Sequence, residues 1–473
     1  MKSCYSAELQ LFFLQWIPMN FNIVILAAGQ GKRMHSDLPK VLHPLAGQPM
    51  LAHVLHAARA LQPQKIVVVY GHGGEQVRAY FASADGILWA EQREQRGTGH
   101  ALMQALPLLD ATAPTLVLCG DVPLIQIDTL QQLCTLAGDG VGLLTDTVED
   151  ATGLGRIVRA ASGQVLRIVE HKDANETERA LREINTGIMV LPTTRLTAWL
   201  TALRCENAQQ EYYLTDVIDL AVTAGVPVHA LLAPVSWQVA GVNSQSQLAC
   251  VERHYQRGCS EALMEQGVML ADPARIDIRG TLRCGRDVRI DVNTVFEGEV
   301  ELGDGVVIGA NCVLRDCRVG AHSQIAAFSL LEDSILGAQC HIGPYARLRG
   351  GNVFADQVDI GNFVEVKGSR IEQASKAKHL SYIGDSDIGS QVNIGAGCVT
   401  CNYDGAYKYR TTIEDRVFVG SGSMLVAPVT LEAGATIGAG SVITKCAPAD
   451  TLTLARAKQV SLSGWQRPRK NKK

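Results

Sequence analysis

The sequence has no excess of positive charge, no long apolar run and few aromatic side chains. Its 43 Lys and Arg residues face 47 Asp and Glu residues, a net charge of −4, so it has no overall positive field to hold nucleic acid or an anionic membrane. No stretch approaches the roughly 18 apolar residues of a membrane span. We therefore expect neither a nucleic-acid nor a membrane partner, and any recognition of phosphate must be local.

The cysteines form no disulfide framework. There are 13, an odd number, scattered without paired spacing, which is typical of reduced thiols and favours a cytoplasmic location. Near the start, the apolar run 11–17 follows Glu8 and has no signal-cleavage site after it. We expect residues 1–20 to be a dispensable extension from an upstream start codon, with the working protein beginning near Met19.

The next part of the chain, from Phe21 to about Gln238, alternates short apolar runs with amphipathic segments. The strand-like runs are Ile23–Ala27, Lys65–Tyr70, Thr115–Cys119, Val141–Thr145 and Ile184–Leu191, and helix-like segments include Met50–Leu61 and Gly97–Leu106. This pattern predicts a mostly parallel sheet with helices on both faces. In such sheets ligands bind at the carboxyl ends of the strands.

After a helical stretch, the period changes to six. Aliphatic residues recur at every sixth position in three series: Leu302, Ile308, Leu314; Leu336, Ile342, Leu348, Phe354, Ile360, Val366; and Val419, Leu425, Leu431, Ile437, Ile443. This period indicates the hexapeptide repeat of a parallel β-helix, whose coils bury their aliphatic corners by stacking. We expect a first domain over 21–245, a helical linker over 246–267, and a β-helix domain over 268–473 with a basic tail.

Two stretches interrupt the six-residue period. They are Ile371–Tyr382 and the Tyr- and Lys-rich segment Cys401–Thr412. In a solenoid, insertions form loops on one face and often build the binding surface. We therefore expect two loops that contribute to a site.

A glycine-rich loop follows the first predicted strand. It reads Ala28-Gly-Gln-Gly-Lys-Arg-Met34 and leads to Leu38-Pro-Lys40. Such a loop presents backbone N–H groups to an anion. The dinucleotide fingerprint fails because Met34 stands at its third glycine, and the P-loop motif fails because Arg33 follows the lysine. Further along, Asp121 ends an apolar strand, where a carboxylate suits Mg²⁺ bound together with phosphates.

The motif L-A-A-G-x-G-x-R-M with its Pro-Lys pair resembles the nucleotidyltransferase fold of sugar-phosphate pyrophosphorylases. The resemblance extends from Phe21 to about Pro468. In the first part of the chain it includes five further segments: 95–100, 153–156, 169–172, 183–187 and 241–243. It continues through the hexapeptide half. Over this range the chain is similar to the family of bacterial bifunctional N-acetylglucosamine-1-phosphate uridylyltransferases and glucosamine-1-phosphate N-acetyltransferases. The resemblance implies a Rossmann-like nucleotidyltransferase domain followed by a left-handed parallel β-helix.

The resemblance also implies two reactions. Acetyl-CoA would acetylate glucosamine-1-phosphate, and UTP would then transfer its uridylyl group to N-acetylglucosamine-1-phosphate with release of pyrophosphate, for peptidoglycan and lipopolysaccharide precursors. In the uridylyl transfer, Arg33 and Lys40 would meet the phosphates, and Asp121 and Asn243 would bind Mg²⁺. The implied nucleotide and sugar contacts are Leu26, Ala27, Ala28, Gly29, Lys40, Gln92, Gly97, Thr98, Cys119, Gly120, Asp121, Gly155, Glu170, Asn185 and Asn243.

Acetyl transfer needs the attacking amine deprotonated, and a neutral His is the usual base near pH 7. The resemblance assigns this role to His379. The implied glucosamine-1-phosphate contacts are Arg349, Lys367, Tyr382 and Asn393, and those of acetyl-CoA are Ala396, Asn402, Tyr403, Ser421, Ala439 and Arg456. A homotrimer is implied as well, in which the Cys401–Thr412 segment completes a neighbour's site. Three residues depart from the family's usual pattern: Gly350, Lys378 and Gly422.

Three alternatives remain open. The chain could be a nucleotidyltransferase whose β-helix only oligomerises, a non-catalytic regulatory subunit built from the same two folds, or a metal-dependent β-helix hydratase using His322, His341 and His379. His379 and the Cys401–Thr412 segment argue against the first, and the set Arg33, Lys40, Asp121 and Asn243 argues against the second. The third would need its histidines to converge between chains.

Overall fold

The computed structural model describes residues 20–468, which form two compact units. The first ends at Gln256 and the second begins at Arg257, within the helix Gln245–Glu265. The expected N-terminal extension, apart from Asn20, and the end of the basic tail lie outside the described residues. No described helix is both long enough and apolar enough to cross a membrane.

The first unit is built on one sheet that is mostly parallel, as the alternating pattern predicts. Along its edge-to-edge path the strands are Val228–Leu232, Val141–Thr147, Glu183–Leu191, Thr115–Cys119, Asn22–Leu26, Lys65–Tyr70 and Ile87–Glu91, and Arg156–Arg159 and Val165–Val169 pair beside it. Its described helices are Met50–Ala60, Gly74–Tyr80, Thr98–Ala105, Ile127–Ala137, Glu176–Arg179, Thr193–Ala202, Asp216–Thr223 and the first part of Gln245–Glu265. Short 3₁₀ turns lie at Lys32–Met34, Lys40–Leu42, Leu106–Leu108 and Ser236–Val239.

One strand on the edge-to-edge path of this sheet runs against the others. Glu183–Leu191 is antiparallel to Thr115–Cys119 and to Val141–Thr147. Its first residues therefore lie at the edge where the parallel strands end. Asn185, near the start of this strand, thus reaches the edge of the sheet where ligands bind in such folds.

The second unit is a parallel β-helix with three faces. One face is a sheet of short strands: Met269–Leu270, Arg289–Ile290, Val307–Ile308, Gln324–Ile325, His341–Ile342, Asp359–Asn362, Lys376–His379, Asn393–Ile394, Phe418–Val419, Thr436–Ile437 and Leu452–Thr453. The other two faces are first covered by long strands: Ile276–Cys284, Thr294–Leu302, Val313–Val319 and Leu330–Leu336. All the described pairings between these strands are parallel, as the hexapeptide repeat predicts.

From Arg347 onward each long strand is divided into two at a corner. The second face then carries Arg347–Arg349, Glu365–Lys367, Tyr382–Gly384, Val399–Cys401, Met424–Val426 and Val442–Ile443, and the third carries Asn352–Phe354, Arg370–Ile371, Ser386–Ile388, Thr411–Ile413 and Val429–Leu431. The three aliphatic series found in the sequence all point inward and are at most 3% exposed. Stacking of the coils therefore buries them in one continuous core.

The expected loop at Ile371–Tyr382 is wrong. This stretch contains the strand Lys376–His379, which pairs in register with Asp359–Asn362. The six-residue spacing continues through Ile371, Ala377 and Ile383, all buried. The period appeared broken because Ile371 follows Val366 after five residues instead of six, and because Ala377 is too small to read as an aliphatic corner.

The expected insertion at Cys401–Thr412 is confirmed. Its extra length shows in the strand register. Ile388 pairs with Ile413 on the next coil, 25 residues later. The neighbouring coils are shorter: they repeat after 17 or 18 residues, as in the pairing of Ile413 with Leu431. The extra residues leave the second face after Val399–Cys401 and return at Thr411. Tyr403 and Lys408 form an antiparallel bridge within this insertion.

Candidate active sites

The first unit has a pocket of about 610 Å³ where its parallel strands end. The strands Asn22–Leu26 and Thr115–Cys119 pair in register, so that Leu26 lies beside Cys119. The pocket is lined by Leu26, Ala27, Ala28, Gly29, Gln30, Lys32, Lys40, Val41, Gln92, Gln95, Gly97, Thr98, Ala101, Cys119, Asp121 and Glu211. The glycine-rich loop and the strand-end carboxylate therefore share one cavity, as expected.

Three polar side chains meet beside this pocket, and two of them, Lys40 and Asp121, line it. Lys40 Nζ donates to Asp121 Oδ2 at 2.5 Å and to Asn243 Oδ1 at 3.1 Å. These two oxygens face one point, and carboxylate and amide oxygens are ligands that hard divalent cations take. No group of three or more His, Cys, Asp or Glu residues in the described chain could hold a metal by itself. A divalent ion here would complete its ligands with phosphate and water oxygens.

Gln92 and Gly97 face each other on the wall of the pocket. Gln92 Nε2 donates to the Gly97 carbonyl oxygen at 3.0 Å. Because that carbonyl can only accept, the amide oxygen of Gln92 is turned away from it. Gly97 has φ 101°, and a Cβ there would lie 2.6 Å from the carbonyl oxygen of Tyr212, so this close approach requires glycine.

A second group of expected residues surrounds Glu170. The Asn185 backbone N–H donates to the Gly155 carbonyl at 2.9 Å, and a Cβ on Gly155 would lie 3.3 Å from Glu170 Oε1. The Thr215 hydroxyl donates to the same carboxylate at 3.1 Å. Burial raises the pKa of Glu170 and that of Asp216 to about 6, with the Glu170 charge adding to the latter shift.

Arg33 stands apart from both of these groups. It lies on the 3₁₀ turn Lys32–Met34 with an exposed side chain and does not line the pocket.

Some residues that line the pocket were not expected from the sequence. Gln30 and Gln95 belong to quoted motifs and hydrogen bond to each other at 2.8 Å, whereas Glu211 has no motif and reaches the pocket because the Tyr212 backbone pairs with Arg96 and Gly99.

The second unit gathers cations at one edge of its second face. Arg349 pairs in register with Lys367 on the next coil. Arg349 Nε donates to Glu365 Oε1 at 2.6 Å, and Lys367 Nζ lies 3.2 Å from Asp385 Oδ1. Both guanidinium and ammonium groups keep exposed surface, which suits an anionic group such as a phosphate.

The insertion brings more side chains to these cations. Asn402 Nδ2 donates to Asp385 Oδ2 at 2.6 Å, and a Cβ on Gly384 would lie 2.5 Å from the Tyr382 hydroxyl and 2.7 Å from Asn402 Nδ2. Lys408, which the sequence analysis missed, lies against Lys367. The ammonium of Lys367 lowers the pKa of Lys408, since two like charges disfavour each other.

His379 belongs to a column of residues that we call the corner column: Asn362, His379, Ala396, Ser421 and Ala439, one from each successive coil. Backbone hydrogen bonds join its coils: Gly397 N to His379 O, Gly422 N to Ala396 O, and Gly440 N to Ser421 O. Arg456 Nη1 donates to the Ala439 carbonyl at 2.6 Å. His379, the expected base, and four of the expected acetyl-CoA contacts therefore lie along one corner.

The remaining expected residues are not all brought together. Asn393 begins the strand Asn393–Ile394 of the first face, whereas Arg349, Lys367 and Tyr382 lie on the second. Tyr403 is exposed on the insertion. His379 ends a strand of the first face and Lys367 ends a strand of the second, so the whole width of the second face separates the corner column from the cations.

The three departures from the family pattern have local explanations. Gly350 and Gly422 both have φ +70°, a conformation that glycine adopts without steric cost. Lys378 pairs with Asp359 on the neighbouring strand, so its charge is compensated there.

Family models match both units. Residues 23–185 match the MobA-like NTP transferase domain, residues 278–379 the GMPPB C-terminal domain, and residues 410–445 the hexapeptide repeat of succinyl-transferase. Together with the pocket and the β-helix, these matches define a two-domain transferase with a nucleotidyltransferase unit and a hexapeptide acyltransferase unit.

Full-length relatives define the family more closely. The chain is 60% identical over 451 residues to the bifunctional protein GlmU of Chromobacterium violaceum, covering 95% of this chain and 99% of that protein. It is 59% identical over 453 residues to that of Cupriavidus pinatubonensis, covering 96% and 100%. The chain belongs to the GlmU family of bifunctional proteins. It is an enzyme that transfers uridylyl and acetyl groups, and its activities use a divalent metal ion and acetyl-CoA.

Proposed function

We propose that the pocket of the first unit, within residues 21–245, binds UTP and N-acetylglucosamine-1-phosphate for uridylyl transfer. The observation that carries this is that Lys40, which contacts Asp121 and Asn243, lines the same pocket as Asp121 and the glycine-rich loop. A sugar-phosphate oxygen attacks the α-phosphorus of UTP, and pyrophosphate leaves. The protein aligns the two phosphates and offsets their charge, because little covalent chemistry is required of it.

The binding roles follow from position. The backbone of Leu26, Ala27, Ala28 and Gly29 faces the nucleotide, and Gln92 with Gly97 and Thr98 reads the uracil edge. The Gln92 amide oxygen is the acceptor that the uracil imide N–H requires, since its Nε2 is held by Gly97. Gly155, Glu170 and Asn185 hold the sugar, with Cys119 and Gly120 forming the wall between sugar and base.

Mg²⁺ is the divalent ion we propose for this pocket, with Asp121 and Asn243 as its protein ligands. When bound, it supplies positive charge that polarises phosphoryl oxygens. The Lys40 ammonium, which contacts both oxygens in this structure, is then free to meet phosphate, together with Arg33 on the neighbouring turn.

The β-helix unit, within residues 268–473, is proposed to acetylate glucosamine-1-phosphate. His379 takes the proton from the attacking amine, and Arg349, Lys367, Tyr382 and Lys408 bind the sugar phosphate. Acetyl-CoA binds along the corner column, where the small side chains of Ala396, Ser421 and Ala439 leave space, and it extends toward Arg456. The helix Gln245–Glu265 links the two domains, and the enzyme works in the cytoplasm.

A trimer accounts for the residues that one chain leaves apart. Asn393 and the Arg349–Lys367 pair lie on different faces of the same β-helix, and in this proposal a second copy brings them together. An exposed aromatic stack marks the corner where the first and second faces meet: Phe328, Tyr345 and Phe363 are 50%, 47% and 55% exposed, with ring centroids 5.0 and 5.2 Å apart. We assign this stack to contact between copies, because an apolar ladder of this kind is stabilised by burial.

Two assays test the function. Purified protein is expected to release CoA from acetyl-CoA only with glucosamine-1-phosphate, and pyrophosphate from UTP only with N-acetylglucosamine-1-phosphate and Mg²⁺. Pyrophosphate release from CTP at the same rate as from UTP would contradict the role given to Gln92.

Complementation tests the shared site. Lys367→Ala and Asn393→Ala are each expected to impair acetyl transfer, whereas co-expression of the two variants restores activity in mixed trimers. A monomer in sedimentation with full acetyltransferase activity would refute the trimer, and the absence of any restoration in mixed trimers would place the site within one chain.

A further inference from the structure

The imidazole of His379 contacts a side chain on the preceding coil. Its Nδ1 lies 2.7 Å from Oδ1 of Asn362. The two residues are register partners in the parallel strands Asp359–Asn362 and Lys376–His379. An amide oxygen can only accept a hydrogen bond, so the hydrogen in this contact is on Nδ1 of the ring.

We propose that Asn362 is a positioning residue for acetyl transfer, because its side-chain oxygen holds the proton of His379 on Nδ1 and thereby the lone pair on Nε2. This inference rests on the proposed role of His379 as the base. A neutral imidazole carries hydrogen on one nitrogen and a lone pair on the other. Only the nitrogen with the lone pair can take the proton of the amine, so Asn362 selects both the tautomer and the rotation of the ring.

The backbone around this pair is held independently of the amide. A Cβ on Gly361 would lie 1.9 Å from the Lys378 carbonyl oxygen, so this glycine lets the two strands approach. The Ser381 hydroxyl donates to the His379 carbonyl at 2.9 Å. Removing the Asn362 amide therefore acts on the orientation of the ring while the strand end stays in place.

The coil on the other side of His379 leaves room for reactants. Ala396 occupies the next position of the corner column, and Ser421 and Ala439 follow. The imidazole therefore has a polar partner, Asn362, on one side and small side chains on the other. This arrangement is the one expected if Asn362 holds Nδ1 and Nε2 faces the substrate.

The decisive variants are Asn362→Leu and Asn362→Asp. The leucine has similar volume without an acceptor, and we expect kcat for acetyl transfer to fall about 10- to 100-fold, by analogy with the loss of a hydrogen-bond partner that orients a metal-bound histidine. The KM for acetyl-CoA and the uridylyl transfer should change little. Gln324→Leu is the matched control, because Gln324 is an exposed polar residue on a strand of the same sheet.

Asn362→Asp keeps an acceptor and is expected to retain activity within a few-fold. Its carboxylate favours the imidazolium form, so the acidic limb of the pH–rate profile should move to higher pH. The other charged groups on these two strands are Asp359, Lys376 and Lys378, and the Lys378–Asp359 pair is left intact. Nitrogen-15 NMR of labelled histidine should report the Nδ1–H tautomer for His379 in the unsubstituted protein and a mixture in Asn362→Leu.

The outcomes separate this inference from the role of His379 itself. Normal acetyl transfer by Asn362→Leu, with His379→Ala inactive, would refute the positioning role and leave the base in place. Equal losses in the Leu and Asp variants would show that Asn362 only supports the fold. Normal acetyl transfer by His379→Ala would overturn both proposals.

Discussion

The two candidate sites differ in how much of their wall a single chain supplies. In the first unit, strand ends, a glycine-rich loop and the 97–101 segment enclose a pocket of about 610 Å³. In the second, the proposed residues lie on an open surface, along a corner and along the edge of a face. A twisted parallel sheet forms a crevice where its strands end, whereas the convex surface of a β-helix has none within one coil.

This difference extends to electrostatics. In the first unit, burial raises the pKa of Glu170 and of Asp216, because carboxylates there lose water. In the second, Arg349 and Lys367 keep solvent access and are balanced by Glu365 and Asp385. This difference agrees with our proposal that the first site is complete in one chain and that the second depends on contact between copies.

The largest expected effect falls on the open site. His379→Ala should lower kcat for acetyl transfer by about 10²- to 10⁴-fold, the usual contribution of a general base, while uridylyl transfer is unchanged. His341→Ala, an exposed histidine on the same sheet, is the control. Loss of both activities in a folded His379→Ala protein would break the separation of the two sites.

The enclosed site should respond to the loss of one carboxylate. Asp121→Asn keeps the shape of the side chain and removes its charge, and we expect pyrophosphate release to fall about 10³-fold, since a bound cation contributes several kcal/mol to such reactions. The Mg²⁺ concentration for half-maximal rate should rise. Acetyl transfer, measured in the same preparation, is the internal control, and an unchanged Mg²⁺ requirement would exclude Asp121 as a ligand.

A smaller effect is expected from the insertion. Lys408→Ala should raise the KM for glucosamine-1-phosphate about 10-fold, as expected for the loss of one charged hydrogen bond, with little effect on kcat. Lys376→Ala removes an exposed lysine from the first face and serves as the control. If both variants raised the KM equally, the effect would be one of overall charge, and the insertion would have no specific role.

The smallest effect concerns stability and is confined to the first unit. Burial raises the pKa of Asp216 from 3.8 to about 6, so the folded state binds this proton more tightly and stability falls as pH rises from about 4 to 6. Asp216→Asn should therefore stabilise this unit by about 1 kcal/mol at pH 7, reduced by solvent screening of a partly exposed group, and by less at pH 4. Calorimetry at both pH values measures this, and equal gains would contradict the ionisation argument.

Much of the fold could be predicted because it follows local periodicity. A six-residue aliphatic repeat can bury its side chains only by stacking coils, so the series from Leu302 to Ile443 was enough to predict the β-helix. The glycine-rich loop likewise predicted a phosphate-binding turn after the first strand. The failure at Ile371–Tyr382 has two causes: Ile371 follows Val366 after five residues instead of six, and Ala377 occupies a corner without an aliphatic side chain long enough to reveal it.

Patterns within single segments therefore specify the two fold classes, the residues of the glycine-rich loop and the series that form the β-helix core. Which distant residues meet depends on packing. Glu211 reaches the pocket through the pairing of Tyr212 with Gly99, and Lys408 reaches Lys367 because the insertion folds back. Asn362 lies under His379 because coils 17 residues apart stack in register. Such contacts join segments that are separate in the chain, and no periodicity within one segment encodes them.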